Sequence, residues 1–209
     1  MINIEYKQNL LLAVLLFCDF PLLSISRTRT IVNYFIFQGW ILALLAFIFS
    51  GHLFLPALIA LIKGVVIPMV IAKTIHETKA YTETSNYYTM FWGVIFALLG
   101  TIASFIIARN FLLPTISSTM IASALSMTCI GVVALVARKN AIYQILGYMS
   151  IENGLFLLTL PLFMTESFIV ELLLLVEVLI AITVRKNAVY WISKEFASIN
   201  VDQLSLLRD

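Results

Sequence analysis

Five ionisable side chains stand in stretches that are otherwise apolar: Asp19, Lys63, Glu152, Glu171 and Glu177. A charge in hydrocarbon is costly, so each must face protein or water, and an intramembrane ionisable residue is a functional-site candidate. The chemistry open to carboxylates and an amine in such places is proton exchange, or countercharge for a moving ion. The plainer alternative for each is a polar clamp between neighbouring helices. Both readings stand for all five.

Their spacing adds detail. Lys63 opens the run Lys63-Gly64-Val65-Val66-Ile67-Pro68. Pro68 has no N–H for the carbonyl of Gly64, four residues back, which predicts a weak point in the helix beside a buried amine. A lysine so deep does not snorkel easily, so it must pair, lose its proton or meet water. Asp19 lies about mid-span, two residues before Pro21. Glu152 is followed by Asn153 and Gly154, and Gly147 is two helical turns before Gly154, so both glycines share a face open to a close neighbour. Glu171 and Glu177 are about 9 Å apart along a helix axis and roughly 120° apart around it, so they face different neighbours.

The elements that position these groups follow from composition. Of 209 residues, 62% are hydrophobic and 11% charged, and mean hydropathy is +1.04. Soluble domains are about 45–50% apolar and about 25% charged. With no alternating β pattern, an all-α integral membrane protein is expected. Seven spans are predicted, near 8–26, 31–51, 53–75, 88–112, 116–137, 141–163 and 167–185. They divide into residues 1–86 (three helices and a polar loop), 87–115 (a fourth helix), 116–186 (a three-helix unit) and 187–209 (an amphipathic segment and polar tail). Seven spans place ten of the 13 basic residues on one face, Lys7 and Arg109 on the other, and Lys63 within a span. The basic face includes Arg138, Lys139, Arg185 and Lys186. The positive-inside rule then puts the C-terminus in the cytoplasm and the N-terminus outside.

Other chemistries find little support. A net charge of +2 does not suggest nucleic acid. There is no phosphate-binding glycine loop and no Cys or His cluster with metal spacing. Cys18 and Cys129 lie in apolar runs and read as small hydrophobes. No redox cofactor, metal or ATP site is expected in this chain.

The motifs together resemble a known family. Arg138-Lys139-Asn140, Ile145-Leu146-Gly147, Glu152-Asn153-Gly154, Ile169-Val170-Glu171, Glu177 and Asn200-Val201-Asp202 are similar to hydrogenase-4 component E. That family supplies membrane subunits of group 4 [NiFe] hydrogenase and formate hydrogenlyase-type complexes. Lys63 to Pro68 looks like its third helix. The last three spans also resemble the small K-type membrane subunit of complex I and the C subunit of multisubunit cation/proton antiporters. In that module a glutamate on each of two helices takes part in proton transfer. Glu177 falls where the second is expected. The first falls at Met149, a departure from the pattern, with Glu152 three residues later as its substitute and Asn153 matching the module's asparagine.

The resemblance implies a multi-pass subunit of the cytoplasmic (inner) membrane, surrounded by lipid and by antiporter-like membrane-arm subunits. A hydrophilic hydrogenase arm would hold the [NiFe] and iron-sulfur centres. Glu152, Glu171, Glu177 and Lys63 would pass protons or Na⁺ in response to electron transfer elsewhere. Two other functions fit the same residues: a subunit of a cation/proton antiporter with no redox partner, and a structural membrane spacer.

Overall fold

A backbone surrounded by hydrocarbon must pair its N–H and C=O groups internally, and a helix does this within one segment. The computed structural model describes residues 2–51, 53–78, 87–110, 116–138 and 140–161, and among these the regular elements are helices. In chain order they are α1 (Ile2–Phe17), α2 (Pro21–Ser24), α3 (Thr28–Ser50), α4 (Phe54–Leu61), a π-helical turn (Ile62–Val66), α5 (Ile67–Thr78), α6 (Tyr87–Asn110), α7 (Ser118–Ala137) and α8 (Ala141–Thr159).

Five of the described stretches are long and apolar enough to cross a membrane: Glu5–Ser24, Thr28–Ser50, Pro56–Lys73, Tyr88–Asn110 and Ser118–Ala137. This is compatible with a membrane-embedded protein. The predicted sixth span forms α8 but is not among the five. Gln144, Ser150, Glu152 and Asn153 interrupt its apolar run. The predicted seventh span, with Glu171 and Glu177, lies outside the described residues.

Local sequence sets the breaks. α3 ends at Gly51, whose φ of 66° is left-handed and whose N–H bonds to the carbonyl of Phe47. Asn140 caps α8, its side-chain oxygen accepting from the N–H of Ile142. The first span is divided: α1 stops at Phe17, residues 18–20 turn, and Pro21 starts α2. Asp19 therefore sits in that turn, not within a continuous helix. Proline suits the first position of a helix because its missing N–H would have no partner there.

Lys63 lies in the π-helical turn. Its last N–H, that of Ile67, reaches five residues back to Ile62. The expected weak point before Pro68 is thus a widened turn in a segment that stays helical, rather than a gap. Residue 68 can serve neither the carbonyl of Gly64 nor that of Lys63, and a wider turn accommodates that loss.

α7 packs along both α6 and α8, and α3 packs along α4, the π turn and α5. Small residues bring α7 and α8 together. A Cβ added at Gly131 would lie 2.5 Å from the carbonyl oxygen of Gly147, and one at Gly154 would lie 2.6 Å from that of Ala124. α6 is peripheral: only 17% of its apolar stretch is buried, against 56% for those of α3 and α7. Phe91, Trp92, Phe96 and Ile102 line its exposed side.

The core falls into two apolar clusters. One gathers Leu12 to Leu16 of α1, Ile41 to Ala46 of α3, Ile59 of α4, Met120 to Met127 of α7 and Phe156 to Leu160 of α8. The other gathers Leu22 and Leu23 of α2, Ile31 to Phe35 of α3, Ile62 to Ile75, Ile130 and Ala134 of α7, and Ile142 to Met149 of α8. On the first span, α3 and α8 the two sets are separated by a few residues, and those intervening positions, with Lys63 beside Ile62, carry the site.

Candidate functional site: a buried polar layer

Between Phe35 and Ile41 on α3 stands Gln38. Between Met149 and Phe156 on α8 stand Ser150, Glu152 and Asn153. Between Leu16 and Leu22 stands Asp19, and Lys63 follows Ile62. All six side chains are buried. They form one polar layer across the bundle, sandwiched between the two apolar clusters.

The layer is continuous. Lys63 Nζ lies 3.3 Å from Glu152 Oε1 as an ion pair and donates to Asn153 Oδ1 at 3.1 Å. Asn153 Nδ2 donates to Gln38 Oε1 at 3.4 Å. Gln38 Nε2 donates to Asp19 Oδ1 at 2.7 Å. Ser150 Oγ lies 2.9 Å from Asp19 Oδ2 and 3.0 Å from the carbonyl oxygen of Met127. Lys63 Nζ also stands 4.5 Å from the ring centroid of Phe156, close enough for a cation–π contact.

The ends of the chain set its direction. An ammonium only donates, so Asn153 must turn its oxygen to Lys63. Its NH2 then faces Gln38, whose own NH2 faces Asp19. Every donor points from the amine towards the carboxyl group. Such chains polarise one another in a low-dielectric interior, so the charge on Lys63 is felt at Asp19.

Backbone geometry lets the layer form. A Cβ at Gly39 would lie 2.7 Å from the backbone atoms of Lys63 and Gly64. With glycine there, α3 sits directly on the π turn, placing Gln38 beside the segment that carries Lys63. On the Gly64 side, the Trp40 indole fills the space that a side chain would need. Beside the π turn, a cleft of about 490 Å³ between α3 and α5 is lined by Arg29, Asn33, Ile36, Gly64, Val65 and Pro68 among others. It brings open space to the backbone next to Lys63.

Of the predicted relay residues, Asp19, Lys63 and Glu152 thus meet in one layer. Glu171 and Glu177 lie outside the described residues. Gly147 and Gly154 lie against α7, while Pro68 bounds the π turn. Met149 is buried in the second apolar cluster, three residues from Glu152. Gln38 and Ser150 were not singled out by sequence. Their signal was only that of uncharged polar residues in apolar runs.

One basic residue counted on a membrane face is a structural anchor. Arg138 is 1% exposed. It donates from Nε to the carbonyl of Leu22 at 3.1 Å and from Nη2 to that of Ile25 at 3.0 Å. Tyr143 Oη also donates to the carbonyl of Ile25, and its ring lies 4.6 Å from the guanidinium carbon. The C-terminal carbonyls of α2 are thereby satisfied by a cation, the charge sign favoured at a helix C-terminus. This fixes the short helix that follows Asp19.

Among the described residues no group of three or more His, Cys, Asp or Glu side chains could hold a metal ion, and both cysteines are free. Comparison with protein-family models, with curated proteins and with solved structures finds no match in any of the three.

Proposed function

We propose that this chain is a membrane-arm subunit of a complex I-like, group 4 [NiFe] hydrogenase-type redox complex. In it the buried polar layer carries proton or Na⁺ movement coupled to electron transfer in partner subunits. The observation that supports this reading is the Lys63–Glu152 ion pair on a π-helical turn, joined through two amides to Asp19. A buried ion pair is weak support for stability, since well-packed apolar residues often do as well or better. π turns within helices are also frequent at functional sites. The layer crosses the bundle between two apolar clusters, so that a change of charge at the Lys63–Glu152 pair is transmitted to Asp19 through the aligned amides. The motif resemblance supplies the class of complex, with Glu171 and Glu177 as further relay candidates.

The experiment is proton uptake into vesicles holding the assembled complex, set against assembly on a native gel. Glu152→Gln and Glu177→Gln keep shape and much of the hydrogen bonding but carry no proton. Assembly should persist in both, while redox-coupled uptake falls at least tenfold for the central Glu152→Gln. Full uptake with both variants would leave these groups as clamps and favour a structural spacer. Co-purification with antiporter subunits, and no [NiFe] subunit, would favour the antiporter assignment.

A further inference from the structure

We infer that Asp19 is a reversible proton-loading site, with the hydroxyl of Ser150 as its two-way partner and the amide of Gln38 as its fixed donor. This deepens the relay reading, and it rests on that reading only for where the proton goes next.

The argument is one of donors and acceptors. Ser150 carries one hydrogen and lies within bonding distance of two acceptors, Asp19 Oδ2 and the Met127 carbonyl. When Asp19 is ionised, the hydroxyl can donate to Oδ2. When Oδ2 carries a proton, Asp19 donates to Ser150 Oγ, and Ser150 turns its hydrogen to Met127. Oδ1 accepts from Gln38 Nε2 in both states. Neither state leaves a polar atom of the carboxyl group without a partner, and the exchange needs only rotation of a hydroxyl. Buried polar groups left unpaired are costly, so a site satisfied in both states is suited to repeated loading.

Charge balance agrees. Within the six side chains, Lys63 and Glu152 offset each other, and one proton on Asp19 leaves the layer without net charge. Among the described residues Asp19 has no ion-pair partner. The titratable and charged groups around it are Cys18 on its own turn, Lys63 from the π turn and Glu152 from α8, with Arg138 turned to the carbonyls of Leu22 and Ile25. Lys63 connects to Asp19 only through the amides of Asn153 and Gln38. Because amide groups are poor proton conductors, Asp19 senses Lys63 electrostatically, while its own proton is shared with the Ser150 hydroxyl.

Infrared difference spectroscopy on the full-length protein in its membrane complex tests this without turnover. Labelling aspartate at the side-chain carboxyl carbon with ¹³C separates Asp19 from every glutamate. The other aspartates of this chain are Asp202 and Asp209, and partner subunits carry their own, so the Asp19 band is assigned as the one lost in Asp19→Asn or shifted in Ser150→Ala. The expected result is a labelled carboxylic C=O band that grows as pH falls, is lost in Asp19→Asn, and shifts in frequency in Ser150→Ala. Asn mimics the protonated group, so Asp19→Asn should assemble. If it does not, the component that shifts in Ser150→Ala identifies Asp19, the carboxyl 2.9 Å from Ser150 Oγ, and its pH dependence decides. A wild-type band that is constant with pH, or absent, overturns the loading role. An unshifted band in Ser150→Ala overturns the role of Ser150. Since nothing is transported in this measurement, its failure is distinct from failure of the uptake experiment.

Discussion

Lys63 and Glu152, separated by most of the described chain, meet at 3.3 Å with both side chains buried. Three features hold the ammonium there: the carboxylate, the oxygen of Asn153 and the face of Phe156. Glu152→Leu removes the only carboxylate paired with Lys63 among the described residues. Stability should fall by about 3–5 kcal/mol, the usual cost of breaking a buried pair. Adding Lys63→Met should recover most of the loss, because an apolar pair replaces an ionic one. Denaturant unfolding of the assembled complex in detergent, run as a double-mutant cycle, checks this. A double variant no more stable than Glu152→Leu would contradict it.

Gly39→Ala should separate α3 from the π turn. Its methyl would stand 2.7 Å from backbone atoms of Lys63 and Gly64, which cannot rotate aside as a side chain can. Overpacking of this kind costs about 1–3 kcal/mol. The same displacement should weaken the hydrogen bond from Asn153 to Gln38, already 3.4 Å long. Thermal unfolding of the complex reads the first effect. Redox-coupled proton uptake, expected to fall even in the assembled fraction, reads the second.

Arg138→Lys should not behave conservatively. The guanidinium reaches two carbonyls of the α2 region from different nitrogens while stacked near Tyr143. An ammonium is a point donor without a planar face. A loss of about 1–3 kcal/mol is expected, with a larger loss for Arg138→Met. Thermal unfolding of the two variants gives the order. Equal stability of wild type and Arg138→Lys would show that one carbonyl contact suffices.

Reporter fusions should place the N-terminus outside and the C-terminus in the cytoplasm, as the uneven distribution of basic residues requires under the positive-inside rule. Both termini on one side would remove the seven-span arrangement.

Most described helices were readable because apolar runs of span length have few other uses. The predicted 31–51, 88–112 and 116–137 correspond to α3, α6 and α7 to within a few residues. Lys63, Asp19 and Glu152 announced themselves as charges in apolar surroundings. Their association did not, because local periodicity gives the face of a residue and not the helix that covers it. Gln38 and Ser150 were hidden for a related reason: they are uncharged, and only their partners across the bundle distinguish them. Arg138 was legible as a basic residue but not as an anchor. Counting basic residues treats each as solvated, whereas this one is spent on the carbonyls of a helix end.

The distances in sequence between the members of the polar layer also order its construction. Asp19 and Gln38 are 19 residues apart, so α1 to α3 can close that bond as soon as α3 has emerged. Lys63 must wait 90 residues for Asn153. At synthesis rates of about 5–20 residues per second, that wait is roughly 5 to 18 s. Throughout it, the segment carrying the lysine has none of its final carboxylate or amide partners. The polar partners of Lys63 described here therefore arrive only with α8, which is also the helix that completes the buried polar layer.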